Sequence, residues 1–192
     1  MSTFKKIWHF IWHEDSALSW VVNIILAFII VKFLIYPGLG LALGGTTHPV
    51  VAVVSGSMQH DGLNFEDWWE KNKAWYLEKN ISKEEFNGFN LKNGFNKGDI
   101  IVLRKSKDMN TGDIIVFYGN SNNPIIHRVV RKWEENGEYS YQTKGDNNPD
   151  SFNALGETEI GESFIIGKAV FKIPYLGYVK IIFTEMLGGN LR

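Results

Sequence analysis

Residues 112–118 read G-D-I-I-V-F-Y, and residues 125–131 read I-I-H-R-V-V-R. Each stretch is a short run rich in β-branched residues that follows a turn-forming segment, which is the pattern of a β-strand. Three further runs of this kind cover residues 98–104, 139–143 and 164–172. Because the runs are short and are separated by Gly, Asn and Asp turns, they predict an antiparallel β domain. The predicted fold class is therefore mainly β.

The composition limits the kinds of function that the chain can have. Its 192 residues are enough for one domain with a real hydrophobic core. The chain has 20 basic and 21 acidic residues and no continuous basic stripe, so nucleic-acid binding is disfavoured. The absence of Cys excludes thiol nucleophiles, zinc–thiolate sites and a disulfide framework.

An apolar segment lies near the N-terminus, at residues 18–36, and its one charged residue is Lys32. A helix rises about 1.5 Å per residue, so a segment of this length approaches the ~30 Å thickness of the bilayer hydrocarbon. Pro37 and Gly38 follow it and are expected to end the helix. A cleaved signal peptide has an apolar core of only ~7–15 residues, so the length favours an uncleaved membrane anchor.

The charges around this segment predict its orientation. Lys5 and Lys6 precede it, and the next charged residue after the segment is Asp61. By the positive-inside rule, residues 1–17 are expected in the cytoplasm and residues 37–192 outside it. The second part is then the extracytoplasmic β domain, with the chain crossing the cell membrane once.

A Trp-rich insertion at about residues 64–90 interrupts the β pattern. Apolar residues recur there at helical spacing, Asn64 is placed to cap one helix, and Ser82 followed by Glu85 is placed to cap a second. Two interpretations of its tryptophans stay open. Trp68, Trp69 and Trp75 either pack in the core or rest among lipid headgroups.

A candidate nucleophile lies in V-V-S-G-S-M-Q-H-D-G, residues 53–62. A serine hydroxyl needs a neighbouring base, and the base needs a third group to fix its tautomer. Of the five His, two precede the apolar segment and two flank the serines closely, which leaves His127 as the candidate base. A lone His within an apolar strand is also compatible with a purely structural role. Downstream, K-G-D-N-N-P-D carries the candidate acids Asp146 and Asp150.

Four of these segments resemble the successive conserved boxes of type I signal peptidases. They are S-G-S-M at 55–58, G-D-I-I-V-F at 112–117, I-H-R-V-V at 126–130 and K-G-D-N-N-P at 144–149. Their order and approximate spacing match the family, as does an N-terminal anchor before an outward β domain. Bacterial members carry a Lys base where this chain has His127, so the resemblance is to the archaeal and endoplasmic-reticulum branch. The absence of Cys and the Trp-rich insertion favour an archaeal source.

The resemblance implies roles for individual residues. Ser57 corresponds to the nucleophile and His127 to the base, while Ser55 and the Ser57 backbone N–H correspond to the oxyanion hole. Asp146 matches the aspartate of the G-D-N-N box and is expected to orient the histidine.

One position departs from the branch pattern. Members often carry a further Asp about six residues after the first one, and this chain has Phe152 there. Asp150 is the nearest substitute.

The expected function is that of a membrane-bound serine endopeptidase that removes N-terminal signal peptides from exported proteins. The expected partners are signal-peptide-bearing preproteins, the lipid bilayer and the protein translocation channel, and neither a metal nor a cofactor is expected. The substrate would lie along an exposed strand edge. The candidate edge comprises Val50, Val51, Ala52, Val53 and Val54. The alternative is a catalytically silent, membrane-anchored β domain that binds exported chains or the translocation machinery.

Overall fold

The computed structural model of the protein describes residues 2–120 and 123–186. The chain divides into two compact units, Met1–Ala42 and Leu43–Arg192. The helical elements of the first unit are α1 (Thr3–His13), α2 (Ala17–Ile30), a π-helical turn (Val31–Ile35) and α3 (Tyr36–Ala42).

A continuous helix of 26 residues runs from Ala17 to Ala42, and it has the length and composition needed to cross a membrane, with a mean hydropathy of 2.5 over its 18-residue apolar stretch. The expectation that Pro37 and Gly38 end this helix is wrong, because α3 continues through both residues. A proline inside a helix lacks an N–H and its ring clashes with the carbonyl four residues earlier. The π-helical turn just before Pro37, in which the Tyr36 N–H donates to the Val31 carbonyl, accommodates the ring within the helix.

Helix α1 is amphipathic and contacts the start of α2. The rings of Phe4, Trp8 and Trp12 follow one another along one face, with centroid separations of 6.3 Å and 5.7 Å. The Ser19 hydroxyl of α2 donates to the Phe10 carbonyl of α1 at 2.7 Å. Helices α1 and α2 are therefore joined by a partly buried hydrogen bond as well as by the chain between them.

The second unit is built on an antiparallel sheet that has seven strands within the described residues. The strand order across the sheet is β1-β2-β7-β3-β4-β5-β6. The strands are β1 (Val50–Ala52), β2 (Ile100–Arg104), β3 (Ile114–Phe117), β4 (Ile125–Glu135), β5 (Glu138–Lys144), β6 (Ile160–Gly161) and β7 (Ile165–Ile173). The mainly β prediction is confirmed.

Strands β4 and β5 form a longer hairpin than the sequence pattern predicted. The two turn residues, Asn136 and Gly137, both have positive φ, at 54° and 83°. This backbone suits the right-handed twist of the flanking strands, so pairing continues up to Glu135 and Glu138. The two-residue strand β6 was not predicted, because it is too short to show a periodic pattern.

Two helices, α4 (Phe65–Glu78) and α5 (Lys83–Asn87), form the predicted insertion. The predicted caps are confirmed: the Asn64 side chain accepts from the Asp67 N–H at 2.9 Å, and the Ser82 hydroxyl accepts from the Glu85 N–H at 3.1 Å. A last helix, α6 (Gly177–Met186), follows β7.

The burial of two tryptophans of α4 decides between the two interpretations at those positions. Trp68 and Trp69 are each only 2% exposed and pack with Phe65, Tyr76 and Phe86 in an aromatic cluster. The headgroup interpretation is therefore wrong for Trp68 and Trp69, and it stays a prediction for Trp75, which is half-buried. The burial of Trp68 and Trp69 attaches the insertion to the β domain, since Val130 of β4 belongs to the same cluster.

Candidate active site

The candidate nucleophile lies in a turn that directly follows β1. The pairing of β1 with the chain before β2 persists to Val53, whose N–H donates to Asp99 and whose carbonyl accepts from Gly98, both at 2.9 Å. The chain then turns, and the hydroxyl oxygens of Ser55 and Ser57 lie 3.2 Å apart. Ser57 is half-buried and Ser55 is exposed, so both hydroxyls border solvent.

This turn contacts the turn that follows β5. The Asn147 N–H donates to the Ser57 carbonyl at 2.8 Å, and the Asn147 side-chain amide donates to the Gly56 carbonyl at 3.2 Å. A Cβ atom at Gly145 would lie only 2.7 Å from the Ser57 carbonyl oxygen. The close approach of the Ser57 carbonyl therefore requires glycine at position 145. Backbone contacts fix where the serine turn lies relative to β5.

His127 lies on the same face of the sheet as Gly145. The ladder between β4 and β5 pairs Val129 with Thr143 and Arg128 with Lys144. Continuing this register by one residue places His127 opposite Gly145. Side chains at opposed positions have Cβ atoms about 4.5–5.5 Å apart. The serine turn, which lies against Gly145, is therefore next to the residue that this register places opposite His127.

The carboxylate at His127 belongs to Glu157. Its Oε1 forms a hydrogen bond with the imidazole Nδ1, and the two side chains are 0% and 4% exposed. Glu157 Oε2 accepts from the Phe152 N–H at 2.9 Å. Sequence reasoning missed Glu157, although the missing second Asp at position 152 was a signal that another carboxylate had to be sought.

Asp146 was expected to orient His127, and the structure places its carboxylate elsewhere. Both of its oxygens accept from the Arg128 guanidinium, at 2.9 Å and 2.7 Å, and Oδ2 is also 3.1 Å from His60 Nε2. The physical reason is strand alternation, because Asp146 has the same parity as Lys144, which pairs with Arg128. Its side chain therefore points to the face opposite that of His127.

The charges around Asp146 determine its protonation. Burial alone would raise the pKa of this carboxyl, but the Arg128 guanidinium and the His60 hydrogen bond more than reverse the effect, so the pKa lies far below its usual range. The aspartate is therefore ionised and paired. His60 contributes a second interaction, since its ring stacks on Trp68 with centroids 3.9 Å apart and planes 1° from parallel.

Lys144 lies on this same face of the sheet. Its ammonium donates to the Gly145 carbonyl at 3.0 Å and is 3.5 Å from the Tyr76 hydroxyl. Burial lowers the pKa of Lys144 to about 8.

Asp150, the second candidate acid, lies at the surface. Its carboxylate accepts from the Trp75 indole N–H at 2.9 Å and from the Ser151 N–H at 2.7 Å. The Trp75 hydrogen bond lowers the pKa of Asp150. Neither predicted acid is therefore the hydrogen-bond partner of His127. Within the described residues, no cluster of three His, Asp or Glu side chains has the grouping of a metal site.

The candidate substrate edge begins with β1, which is the first strand in the order of the sheet and pairs on one side with β2. Its residues are Val50, Val51 and Ala52, all half-buried, whereas Val53 is buried and Val54 is exposed after the strand ends. In the described chain the other side of β1 has no strand partner, so β1 is an edge strand of the sheet.

The chain is similar to curated proteins of one kind. It is 37% identical over 98 residues to the signal peptidase complex catalytic subunit SEC11 of Colletotrichum graminicola, a match that covers 47% of this chain and 57% of the relative. It resembles signal peptidases. It is also 28% identical over 159 residues to the human subunit SEC11C, covering 79% of this chain and 65% of the relative. The resemblance inferred from the four boxes is thus confirmed, at modest identity.

The similarity covers only part of each relative. The chain spans between 57% and 65% of the length of these relatives. No protein-family model matches the chain. The assignment of activity and of individual residues therefore depends on the geometry of the site.

Proposed function

We propose that the protein is a membrane-bound serine endopeptidase that cleaves N-terminal signal peptides from exported proteins. The proposal is supported by the buried carboxylate on His127 and by the Ser57 turn, which contacts the turn at the end of the strand that pairs with the His127 strand. The relatives support the same activity, because both are named catalytic subunits of a signal peptidase complex.

In the proposed reaction Ser57 attacks the scissile carbonyl and His127 takes the proton from its hydroxyl. His127 then returns this proton to the leaving amine, and water hydrolyses the acyl-enzyme by the same route. The oxyanion is stabilised by the Ser57 backbone N–H and the Ser55 hydroxyl. The separation of 3.2 Å between the two hydroxyl oxygens supports this role, because it keeps Ser55 within reach of the developing charge.

The substrate would bind as an additional strand along β1. Backbone hydrogen bonds to an edge strand provide affinity for an extended peptide without selecting its sequence. Residues Val50 to Val54 lead directly into the serine turn, so a peptide paired with them would be carried to Ser57. Shallow pockets beside this edge would then select small residues before the cut.

A membrane anchor would hold this chemistry at the side of the membrane where precursors emerge. Residues 1–17 would be cytoplasmic, residues 18–36 would lie in the cell membrane, and residues 37–192 would be extracytoplasmic. The helix Ala17–Ala42 supports an anchor by its length and its apolar composition. Preproteins leaving the translocation channel would then reach the β domain while their signal peptides are still in the bilayer.

The alternative, a catalytically silent binding domain, is less well supported. His127 has a fully buried carboxylate on its Nδ1, which is the arrangement that holds a catalytic histidine in the tautomer of a base. A binding domain would also be expected to keep its affinity for exported chains when the Ser57 hydroxyl is removed.

The test compares serine variants of the full-length protein in detergent with a secretory precursor as substrate. We expect Ser57→Ala to abolish cleavage with unchanged thermal unfolding. We expect Ser55→Ala to lower the rate by about 10²–10³, the typical cost of losing one oxyanion donor. Ser163→Ala, at an exposed serine, is the matched control and should cleave normally. Normal cleavage by Ser57→Ala would refute the proposed function.

A further inference from the structure

We propose that Glu157 is the positioning residue for His127, a role that the branch pattern would assign to an aspartate. The inference rests on the proposed function. With its Nδ1–H donated to Glu157, the neutral imidazole carries its lone pair on Nε2, the nitrogen that must accept the Ser57 proton. Glu157 thus selects the tautomer that can act as the base.

The carboxylate of Glu157 is held from several directions. In addition to the Phe152 N–H at Oε2, the Thr143 hydroxyl is 3.5 Å from Oε1. The main chain is fixed as well, because the Thr143 N–H donates to the Glu157 carbonyl at 2.9 Å. These contacts attach Glu157 to the strand that pairs with the His127 strand, so the imidazole and its carboxylate share one rigid frame.

The contact with Phe152 connects this arrangement to the departure in sequence. Position 152 is where the branch pattern has its second Asp, and here that backbone N–H binds the carboxylate of a residue five positions later. The loop returns through a 3₁₀ turn at Asn153–Leu155 and through Gly156, which has φ of 75°. Glycine adopts this left-handed conformation without strain. The loop thus brings a glutamate carboxylate to the backbone of position 152.

The chemistry requires a fixed negative charge at this place. As the Ser57 Oγ–C bond forms, the Oγ–H bond breaks, its proton moves to His127 Nε2, and the carbonyl electron pair moves to the oxygen. The resulting imidazolium lies against Glu157 in a site with little solvent, where opposite charges attract more strongly than in water. Glu157 keeps its charge throughout. The proton leaves on the amine when the C–N bond breaks.

The experiment measures kcat and KM for precursor cleavage by full-length Glu157→Gln, Glu157→Asp and Glu159→Gln in detergent. Glutamine keeps the shape and removes the charge, so we expect kcat to fall by about 10²–10⁴ with KM nearly unchanged. The upper value is the effect of the equivalent change in a well-studied serine protease triad. Glu157→Asp keeps the carboxylate and should retain at least about tenfold more activity than Glu157→Gln. Glu159 is exposed, and its variant should behave as wild type.

The outcomes separate this inference from the proposed function. If Ser57→Ala is inactive while Glu157→Gln cleaves within about threefold of wild type, the role of Glu157 is refuted and the endopeptidase stands. Equal losses in Glu157→Gln and Glu157→Asp, each accompanied by a lower unfolding temperature, would show a structural role and also refute the inference. Where Glu157→Gln does not fold, the kcat of Glu157→Asp decides, since a positioning role predicts measurable turnover. If Ser57→Ala cleaves normally, the proposed function fails first.

Discussion

Arg128 directs its guanidinium N–H groups at buried acceptors on several parts of the β domain. The Nε–H and one Nη2–H donate to the Asp146 carboxylate. The other three N–H groups donate to the carbonyls of Asn90, Leu91 and Gly112 at 3.0–3.1 Å. All five donors of the side chain are thus used. Because the guanidinium is fully buried, its charge depends on the Asp146 carboxylate for compensation.

Replacing Asp146 with Asn should therefore destabilise the β domain. Breaking a buried ion pair by removing one partner costs about 3–5 kcal/mol, because the other charge is left unpaired. The folded pKa of Asp146 lies below its unfolded value of about 3.9, so its stabilisation is complete above about pH 5 and is lost as the pH falls further. Asp146→Asn should unfold at a lower temperature at neutral pH and lose less stability on acidification.

Thermal unfolding in detergent from pH 3 to pH 7 checks this prediction. Asp150→Asn is the matched control, because Asp150 is exposed and its hydrogen bonds are to Trp75 and the Ser151 backbone rather than to a buried cation. An Asp146→Asn curve that coincides with the Asp150→Asn curve would contradict the prediction.

Strand parity decides which part of the site was predictable. The sequence indicated a serine turn and a strand with His127 because both signals are local. The pairing of Asp146 with Arg128 depends on the register of two strands, in which Arg128 lies opposite Lys144. That register was not known from the sequence, so Asp146 was expected to contact His127, although the two side chains lie on opposite faces of the sheet.

Glu157 was missed for a different reason. The segment around it contains three acids, Glu157, Glu159 and Glu162, and no periodic pattern distinguishes them. Only the folded loop buries Glu157 completely while the other two remain exposed. Which of several glutamates a loop buries depends on the tertiary structure, and composition and spacing do not reveal it.

Among the secondary-structure elements, helix α4 supplies the aromatic side chains that pack against His60, next to Asp146. Trp68 packs against Phe86 with centroids 5.0 Å apart and stacks on His60, which in turn contacts Asp146. Trp68→Ala should therefore cost about 3–5 kcal/mol, as large-to-small changes at buried aromatics do. This corresponds to a fall of roughly 10 °C in the unfolding temperature for a chain of this size.

The control for Trp68→Ala lies on the same helix. Leu77 is 53% exposed, so Leu77→Ala should change the stability by no more than about 0.5 kcal/mol. Circular dichroism during heating measures both variants. Equal melting temperatures for the two variants would show that the cluster contributes little.

The caps of α4 and α5 were predictable because a capping side chain and its N–H partner lie three residues apart. The burial of Trp68 was not, since the helix has aromatic residues on more than one face and only the position of β4 decides which face is covered. The end of the anchor helix was mispredicted because the π-helical turn before Pro37 has no sequence signal of its own.

At the scale of the whole molecule, the proposed membrane orientation is argued from very few charges. Lys5 and Lys6 are the basic residues before the apolar helix, and Lys32 lies within it. Replacing both N-terminal lysines with Gln removes the positive-inside bias, so a fraction of the chains should insert with the β domain in the cytoplasm. Precursor cleavage per molecule should fall by the same fraction.

Protease accessibility of the β domain from each side of the membrane measures this orientation. Lys71→Gln with Lys97→Gln removes the same charge from exposed positions of the second unit and serves as the control. If the Lys5 and Lys6 variant keeps a single orientation, another feature of the chain determines the topology.

The sulfur atom of Met58 next to the serine turn has a consequence for oxidation chemistry. It accepts a hydrogen bond from the Asp146 N–H at 3.3 Å, and its side chain is 1% exposed. The chain has no thiol to intercept an oxidant, while Met186 is 80% exposed. Peroxide should convert Met186 to the sulfoxide in the folded protein but reach Met58 only when the serine turn opens locally. The ratio of the two oxidation rates therefore measures how often the serine turn opens locally.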